Sequence, residues 1–288
     1  MILSMTGFAA VSADLPGASL AAELRSVNHR YLDVSLKLSD EFRGLEPMLR
    51  ERLAGELKRG KVECRLGVAR NAPGSARLAV DPDRVANLAT AAADIRRRVP
   101  DATPLTVAEI LRWPGVLAEP ALDPEALTAR AIALVDQALA ELAAARAREG
   151  AKLAAILVER CDDIEVQVDR VLPRIPLVHA AWTDKMNTRL REAGLDPDED
   201  RIRQELALYL AKIDVDEELS RLRTHVAEVR RVLAAGGAVG KRLDFLAQEL
   251  HREANTLGSK SADAEVSRAA LELKVLIEQM REQVQNLE

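Results

Sequence analysis

Aromatic residues are scarce in this 288-residue chain: two Trp, two Tyr and three Phe make up 2% of it. Proteins that read single-stranded nucleic acid by stacking bases on Phe and Tyr usually carry more rings, so the composition argues against that class. Cysteine is nearly absent as well. Cys64 and Cys161 lie far apart and form no CxxC or Cys/His spacing, which argues against a disulfide scaffold and a zinc finger and favours a reducing cytoplasm.

Long apolar runs and familiar catalytic motifs are also missing. Polar residues interrupt every apolar stretch well before the ~18 residues that suggest a transmembrane helix, and residues 1–10 lack the basic segment of a signal peptide. The sequence holds no glycine-rich phosphate loop, no GxGxxG after a strand, no GxSxG and no HExxH. We therefore expect no membrane contact and no small-molecule organic cofactor.

The net charge is negative but unevenly distributed. The chain has 41 Lys and Arg against 46 Asp and Glu, a formal charge of −5. Residues 1–70 carry a net charge of +2, whereas residues 71–288 carry −7. The whole-chain value argues against a general nucleic-acid binder, but it leaves open a local basic surface.

Hydrophobic periodicity predicts an α+β fold: an N-terminal mixed α/β domain followed by a mostly helical C-terminal region with long helices. Alternating residues predict strands at 19–25, 31–38, 61–68 and 77–81, and an apolar stripe predicts a helix at 44–57. Further helices are predicted at 83–98, 106–112, 124–170, 177–193, 198–212, 216–234, 239–257 and 263–286. The Ala-rich 124–170 stretch is either one long helix or a hairpin bent near Gly150. We expect three parts: an α/β domain at 1–80, a helical middle region with a long arm at 81–200 and a C-terminal helical domain at 201–288.

The segment from Arg25 to Asp33 concentrates polar side chains between two predicted strands. Arg25, Asn28, His29 and Arg30 lie within six residues, and an Arg side chain offers a bidentate fork to phosphate. The segment is therefore a candidate phosphate-binding turn. The alternative is a hairpin turn with solvated charges.

The predicted helix at 216–234 begins with three acids, Asp216 to Glu218. Glu218 and His225 are seven residues apart on one face, so a carboxylate and an imidazole could share a divalent metal ion. The alternative is that the three acids only stabilise the helix N-terminus.

The segment from Gly240 to Lys260 places Glu249 and Glu253 four residues apart. Like charges at this spacing repel by ~0.2–0.5 kcal/mol unless a cation lies between them. A bound Mg²⁺ or Mn²⁺ would remove the repulsion, and Arg252 neutralising both carboxylates is the simpler alternative. We expect a helix stop at Gly258, followed by a junction whose N–H groups could bind phosphate.

Several runs of residues resemble the YicC-like endoribonuclease family. In the N-terminal part they are Met1 to Phe8, Arg25 to Asp33 and Arg59 to Val62. In the C-terminal part they are Glu217 to Leu222, Gly240 to Leu246, Arg252 to Lys260 and Arg281 to Asn286. The resemblance extends over the whole chain in the same order, with 71–200 the least distinctive part.

The resemblance implies a bacterial cytoplasmic endoribonuclease that cleaves RNA with help from a divalent cation, in RNA turnover and stress responses. It also implies a homo-oligomer, a hexamer whose subunits form a channel that can close on an RNA hairpin. In such an assembly a chain of charge −5 can bind RNA, because several subunits can turn basic segments toward one cavity.

These expectations combine into one hypothesis. Glu218, Glu249 and Glu253 are the predicted ligands of Mn²⁺ or Mg²⁺, and the predicted catalytic residues are Glu249, Glu253 and His225. The predicted RNA-binding residues are Arg25, Asn28, Arg30, Arg252 and Lys260. The alternatives are a non-catalytic adaptor that presents RNA to other nucleases and an oligomeric scaffold.

Overall fold

The computed structural model describes residues 1–70, 80–117, 123–194 and 200–288, and it confirms the α+β class. The strands lie in the first 70 residues: β1 (Gly7–Leu15), β2 (Ala18–Val27), β3 (Leu32–Leu38) and β4 (Gly60–Arg70). A 3-10 helix (Asp40–Leu45) and α1 (Glu46–Glu56) connect β3 to β4.

The four strands form one sheet in the order β1-β2-β4-β3. β2 pairs antiparallel with both β1 and β4, whereas β3 pairs parallel with β4 across the connection through α1. β2 and β3 are therefore not neighbours. The hairpin interpretation of Arg25 to Asp33 is wrong, because this segment passes across the start of β4.

Strand β1 was not predicted from the sequence. Its inward residues are Ala9, Val11 and Ala13, so the alternation between the two faces involves small side chains and gives little contrast. The predicted strand at 77–81 lies mostly outside the described residues. Its described part, at Val80, forms an isolated antiparallel bridge with Leu117.

Helices follow the sheet, beginning with α2 (Pro82–Arg98), α3 (Val107–Arg112) and α4 (Pro124–Val171). α4 is one continuous helix of 48 residues, which excludes the hairpin alternative. Gly150 does not bend it. A Cβ atom at this position would clash with the carbonyl oxygen of Ile2, so glycine allows the N-terminal segment to approach the helix closely.

The remaining helices are α5 (Arg174–Glu192), α6 (Asp200–Ile213), α7 (Asp216–Ala235), α8 (Gly240–Lys260) and α9 (Ala264–Val284). α8 continues through Gly258, so the predicted helix stop is wrong. A Cβ atom at Gly258 would lie 3.5 Å from Cβ of Ala270 on α9. This is an ordinary van der Waals distance, so α8 and α9 leave room for a methyl group at this position.

α4 contributes to both hydrophobic cores found in the described residues. Its first half packs under the sheet through residues such as Leu134 and Leu142. Its second half packs with α7, α8 and α9 through residues such as Leu157 and Ile164. The three-part division of the chain stays a prediction, and α4 connects the first part to the third.

Each core encloses one of the two cysteines. Cys64 is buried beneath the sheet and Cys161 in the helical core, and both are free thiols. Burial raises the pKa of each thiol to about 11, so neither supplies a thiolate at neutral pH. In the described ranges, we find no helix long and apolar enough to cross a membrane.

Candidate functional site

Glu218 lies in the first turn of α7 and is buried. One carboxylate oxygen, Oε1, lies 2.8 Å from Nζ of Lys260, which also donates to the carbonyl oxygen of Asp214 at 3.1 Å. The other oxygen, Oε2, is buried and has no hydrogen-bond partner among the described residues. Leaving a buried oxygen unpaired is costly, so Glu218 differs from the solvated acids that merely favour a helix N-terminus. Glu217, exposed in the same turn, fits that simpler role.

Glu253 of α8 is the second buried carboxylate of this helix pair. Its Oε1 lies 3.5 Å from Nη1 of Arg221 on α7. Arg221 also pairs with Glu217 at 2.5 Å, so one guanidinium connects the first turn of α7 to α8. Sequence reasoning assigned no role to Arg221, because spacing along a chain does not show which residue of a neighbouring helix it will meet.

Glu249 lies one turn before Glu253 and is half-buried. Its Oε2 lies 4.0 Å from Nη1 of Arg252, whose side chain is exposed. The interpretation that Arg252 neutralises both carboxylates is therefore wrong for Glu253, which pairs with Arg221 instead.

The predicted metal ligands do not form a ready site within one chain. Across the described ranges, no group of three or more His, Cys, Asp and Glu side chains is placed to hold a metal ion. His225 lies two turns after Glu218 on α7 and is partly buried. The ligand set of Glu218, Glu249 and Glu253 stays a prediction, which needs further ligands from water, RNA phosphate or another subunit.

Besides Arg252, two of the predicted RNA-binding residues have exposed side chains, and both lie at the sheet. Arg25 is exposed on the outer face of the sheet, opposite Phe8 of β1 and Glu63 of β4. Arg30 is exposed in the segment between β2 and β3, where its guanidinium carbon lies 5.2 Å from the centre of the Tyr31 ring. An RNA phosphate that approaches from solvent can therefore contact either guanidinium group.

Two other predicted RNA-binding residues are engaged inside the chain. Asn28 donates from Nδ2 to the carbonyl oxygen of Gln285 at 2.8 Å, which ties the β2–β3 segment to the end of α9. Lys260 is paired with Glu218. Each would have to exchange its present partner to bind RNA, so their assignment stays a prediction.

The junction between α8 and α9 does not offer free N–H groups to a phosphate. Oδ1 of Asp263 accepts hydrogen bonds from the backbone N–H groups of Glu265 and Val266, at 2.9 and 3.1 Å. Arg174 donates to its other oxygen at 2.8 Å, and this bond is the main reason that the pKa of Asp263 lies below its usual value. The carboxylate of Asp263 already occupies the place at the start of α9 where a phosphate would bind, so the prediction of a phosphate site here is wrong.

The fold therefore combines an exposed basic segment at the sheet with a pair of helices that carries buried carboxylates. Comparison with known protein families identifies the family to which the chain belongs. The family description "Endoribonuclease YicC-like, N-terminal region" matches residues 2–155, and "Endoribonuclease YicC-like, C-terminal" matches residues 171–288. The chain belongs to the YicC-like endoribonuclease family.

Relatives agree over the full length of the chain. A protein of Haemophilus influenzae named "Probable endoribonuclease YicC" is 41% identical over 288 residues, which is 100% of both chains. A protein of Clostridioides difficile with the same name is 28% identical over 293 residues, again covering 100% of both. The resemblance expected from the motifs is confirmed.

Proposed function

We propose that the protein is an endoribonuclease that requires a divalent cation, Mn²⁺ or Mg²⁺, and cleaves structured RNA such as hairpins or small RNAs in bacterial RNA turnover and stress responses. Membership of an endoribonuclease family supports the cleavage of RNA. One observation carries the metal requirement: the buried Oε2 of Glu218, which lacks a hydrogen-bond partner in the described chain.

The donor chemistry of this helix pair fits a hard cation. Mg²⁺ and Mn²⁺ prefer carboxylate oxygens, and Mg²⁺ usually keeps several waters and needs only one or two protein carboxylates. Glu218 on α7 and Glu249 and Glu253 on α8 would supply those carboxylates. When bound, the cation would activate a water molecule and stabilise negative charge on the scissile phosphate.

The chain's own residues would hold the RNA and move protons. Arg25, Arg30 and Arg252 carry exposed guanidinium groups that can pair with phosphates. His225 is the candidate for proton transfer, because a neutral imidazole has one ring nitrogen that can accept a proton and one that can donate it.

We further propose that the protein acts in the cytoplasm as a homo-oligomer, a hexamer with RNA in a central channel. Two free, buried thiols are compatible with a reducing compartment. Repetition of Arg25 and Arg30 around a cavity would concentrate positive charge there despite the net charge of −5.

One observation favours a second candidate, an RNA-binding adaptor or oligomeric scaffold. Both buried carboxylates already face a cation of the chain, Glu218 facing Lys260 and Glu253 facing Arg221. Such pairs can fix the packing of α7 against α8 without any chemistry.

Cleavage of a hairpin RNA separates these candidates. The purified wild type is compared with Glu218→Gln, Glu249→Gln and Glu253→Gln in Mn²⁺, in Mg²⁺ and in EDTA. Glu272→Gln, at an exposed position of α9, is the matched control. Light scattering on the same samples reports the size of the oligomer.

We expect cleavage by the wild type and Glu272→Gln only with a divalent cation, and a loss of about a hundredfold or more in the three site variants. If the wild type cleaves no RNA under any condition, the proposed enzymatic activity is contradicted. Undiminished cleavage by all three site variants would contradict the metal site alone. Lost cleavage together with lost assembly would favour the scaffold.

A further inference from the structure

Phe245 of α8 projects into solvent. Its exposed fraction is 58%, whereas Leu243 and Leu246 beside it are buried in the helical core. Single exposed apolar residues are common on protein surfaces, so exposure alone assigns no function. The residues around Phe245 on the same face of α8 supply the second observation.

Phe245 belongs to a row of exposed side chains along the outer face of α8, spaced alternately by four and three residues. The row, called here the α8 outer stripe, consists of Lys241, Phe245, Gln248, Arg252, Asn255 and Ser259. Residues at this spacing lie on one face of an α-helix. The stripe is polar apart from the single phenyl ring.

The α8 outer stripe carries two cations and no carboxylate. The acids of α8 lie beside or behind it: Glu253 is buried, Glu249 is half-buried with Oε2 4.0 Å from Nη1 of Arg252, and Asp244 accepts from Gln248 at 2.8 Å and pairs with Arg281 at 3.4 Å. Residues 71–288 as a whole have a net charge of −7, so an exposed row whose own charges are all positive differs from its surroundings, although Asp244 and Glu249 border it. Such a line is complementary to a polyanion.

The spacing of these groups suits a nucleic-acid strand. At about 1.5 Å per residue, Phe245 and Arg252 are roughly 10 Å apart along the helix axis, and Lys241 lies on the other side of the ring. Binding sites for single strands combine cations that follow the backbone with aromatic rings that stack on bases. Gln248 and Asn255 add amide groups. The amide nitrogens bond Asp244 and His251, and the carbonyl oxygens can accept from base edges or ribose hydroxyls.

We propose that the α8 outer stripe binds an unpaired segment of RNA. One base stacks on Phe245, and the phosphates on either side pair with Lys241 and Arg252. This assignment rests on the proposed function and adds a substrate class to it: RNA that carries a single-stranded segment. It also revises the conclusion drawn from composition, since scarce aromatics exclude an extended stacking surface but leave a site for one base.

Binding is measured in EDTA, so that RNA stays intact, by fluorescence anisotropy with a hairpin that carries a single-stranded tail. Phe245→Leu removes the ring, Phe245→Tyr keeps it, and Trp113→Leu removes a ring that is 53% exposed elsewhere, at the end of α3. We expect Phe245→Leu to weaken binding about tenfold. Phe245→Tyr and Trp113→Leu should bind like the wild type.

Salt dependence separates the ring from the cations. Stacking releases no counterions, so the loss in Phe245→Leu should be equal at about 50 and 200 mM salt. Arg252→Gln should instead reduce the slope of log K against log salt by about one.

Three results would overturn the assignment. They are unchanged binding by Phe245→Leu, an equal loss in Trp113→Leu, and a change in oligomer size that accounts for the loss in Phe245→Leu. If wild-type protein cleaves RNA while Phe245→Leu binds normally, the stripe assignment fails and the proposed function stands. If the predicted binding pattern appears but wild-type protein cleaves no RNA, only the enzymatic function fails.

Discussion

Arg146, inside α4, forms an ion pair with the side chain of Glu288, 142 residues further along the chain. The Arg146 side chain is buried, and its Nε donates to the carbonyl oxygen of Ser4 at 2.6 Å. One guanidinium thus joins both ends of the chain to α4. The backbone reinforces this junction, because Met5 donates to Asn286 at 2.8 Å.

Replacing this guanidinium should destabilise the protein. Arg146→Ala leaves the carbonyl oxygen of Ser4 and the carboxylate of Glu288 without their donor, so we expect a loss of about 3 kcal/mol in the free energy of unfolding. Arg148→Ala, at an exposed position of the same helix, should change it by less than about 0.5 kcal/mol. Urea denaturation of both variants measures the difference, and equal stabilities would contradict the role of Arg146.

Two glycines in helices should respond to alanine in opposite directions. Gly150→Ala forces a methyl group against the carbonyl oxygen of Ile2 and should cost about 3 kcal/mol. A Cβ atom at Gly55 meets nothing within 4 Å, so Gly55→Ala in α1 should add about 0.5 kcal/mol through the lower entropy of the unfolded chain. Thermal denaturation, monitored by circular dichroism, tests whether Gly150→Ala is less stable and Gly55→Ala more stable than the wild type. A neutral Gly150→Ala would show that the N-terminal segment can move away.

The pairing of Glu218 with Lys260 predicts a non-additive pair of substitutions. Lys260→Met leaves a buried carboxylate without its counterion and should lower the free energy of unfolding by about 3 kcal/mol. Adding Glu218→Gln removes the uncompensated charge, so the double variant should be more stable than Lys260→Met alone. A double-mutant cycle from urea midpoints measures the coupling. Additive losses would show that the two charges act independently.

Glu228 predicts a pH dependence of stability in the acid range. Hydrogen bonds from Arg231, and then from Arg242, lower the pKa of Glu228 from 4.5 to about 2, although burial opposes the shift. Because the folded-state pKa is the lower one, this carboxylate stabilises the fold above pH 4.5 and loses that effect as the pH falls toward 2.

The corresponding experiment compares Glu228→Gln with the wild type by urea denaturation at several values of pH. The variant should be less stable above pH 4.5, and the two proteins should converge as the pH approaches 2. A stability difference that stayed constant over this range would assign the effect to lost packing instead of charge.

The exposed guanidinium of Arg30 predicts a salt-dependent contribution to RNA affinity. Arg30→Gln should weaken binding and reduce the slope of log K against log salt by about one, because one fewer counterion is released. Arg148→Gln, which also removes one exposed charge, should leave the slope nearly unchanged. If both variants lower the slope equally, Arg30 has no specific contact with RNA.

Long helices were predictable from the sequence because their apolar residues repeat strongly. Predictions for α7 and α9 agree with the structure within two residues at each end. Strand β1 escaped notice because its alternating residues are small, and the pairing of β3 with β4 depends on contacts distant in sequence. Gly258 misled the prediction because a glycine inside a helix looks the same in sequence as one that ends a helix.

The sequence singles out acids of the candidate site but not the cations that pair with them. The acids Glu218 and Glu253 were identified by spacing on single helices. Glu218 on α7 pairs with Lys260 on α8, and Glu253 on α8 pairs with Arg221 on α7. Only the packing of α7 against α8 brings these partners together. The burial of Glu218 Oε2 also depends on tertiary packing, and no local sequence pattern predicts it.

The continuity of α4 constrains how the molecule can move. Its 48 residues extend roughly 70 Å, with one half beneath the sheet and the other half in the helical core. With no loop between these halves, the sheet and the α7–α8 pair cannot rotate about a flexible joint within α4. Closure of the proposed hexamer around a bulky RNA would therefore require elastic bending of α4 or sliding between neighbouring subunits.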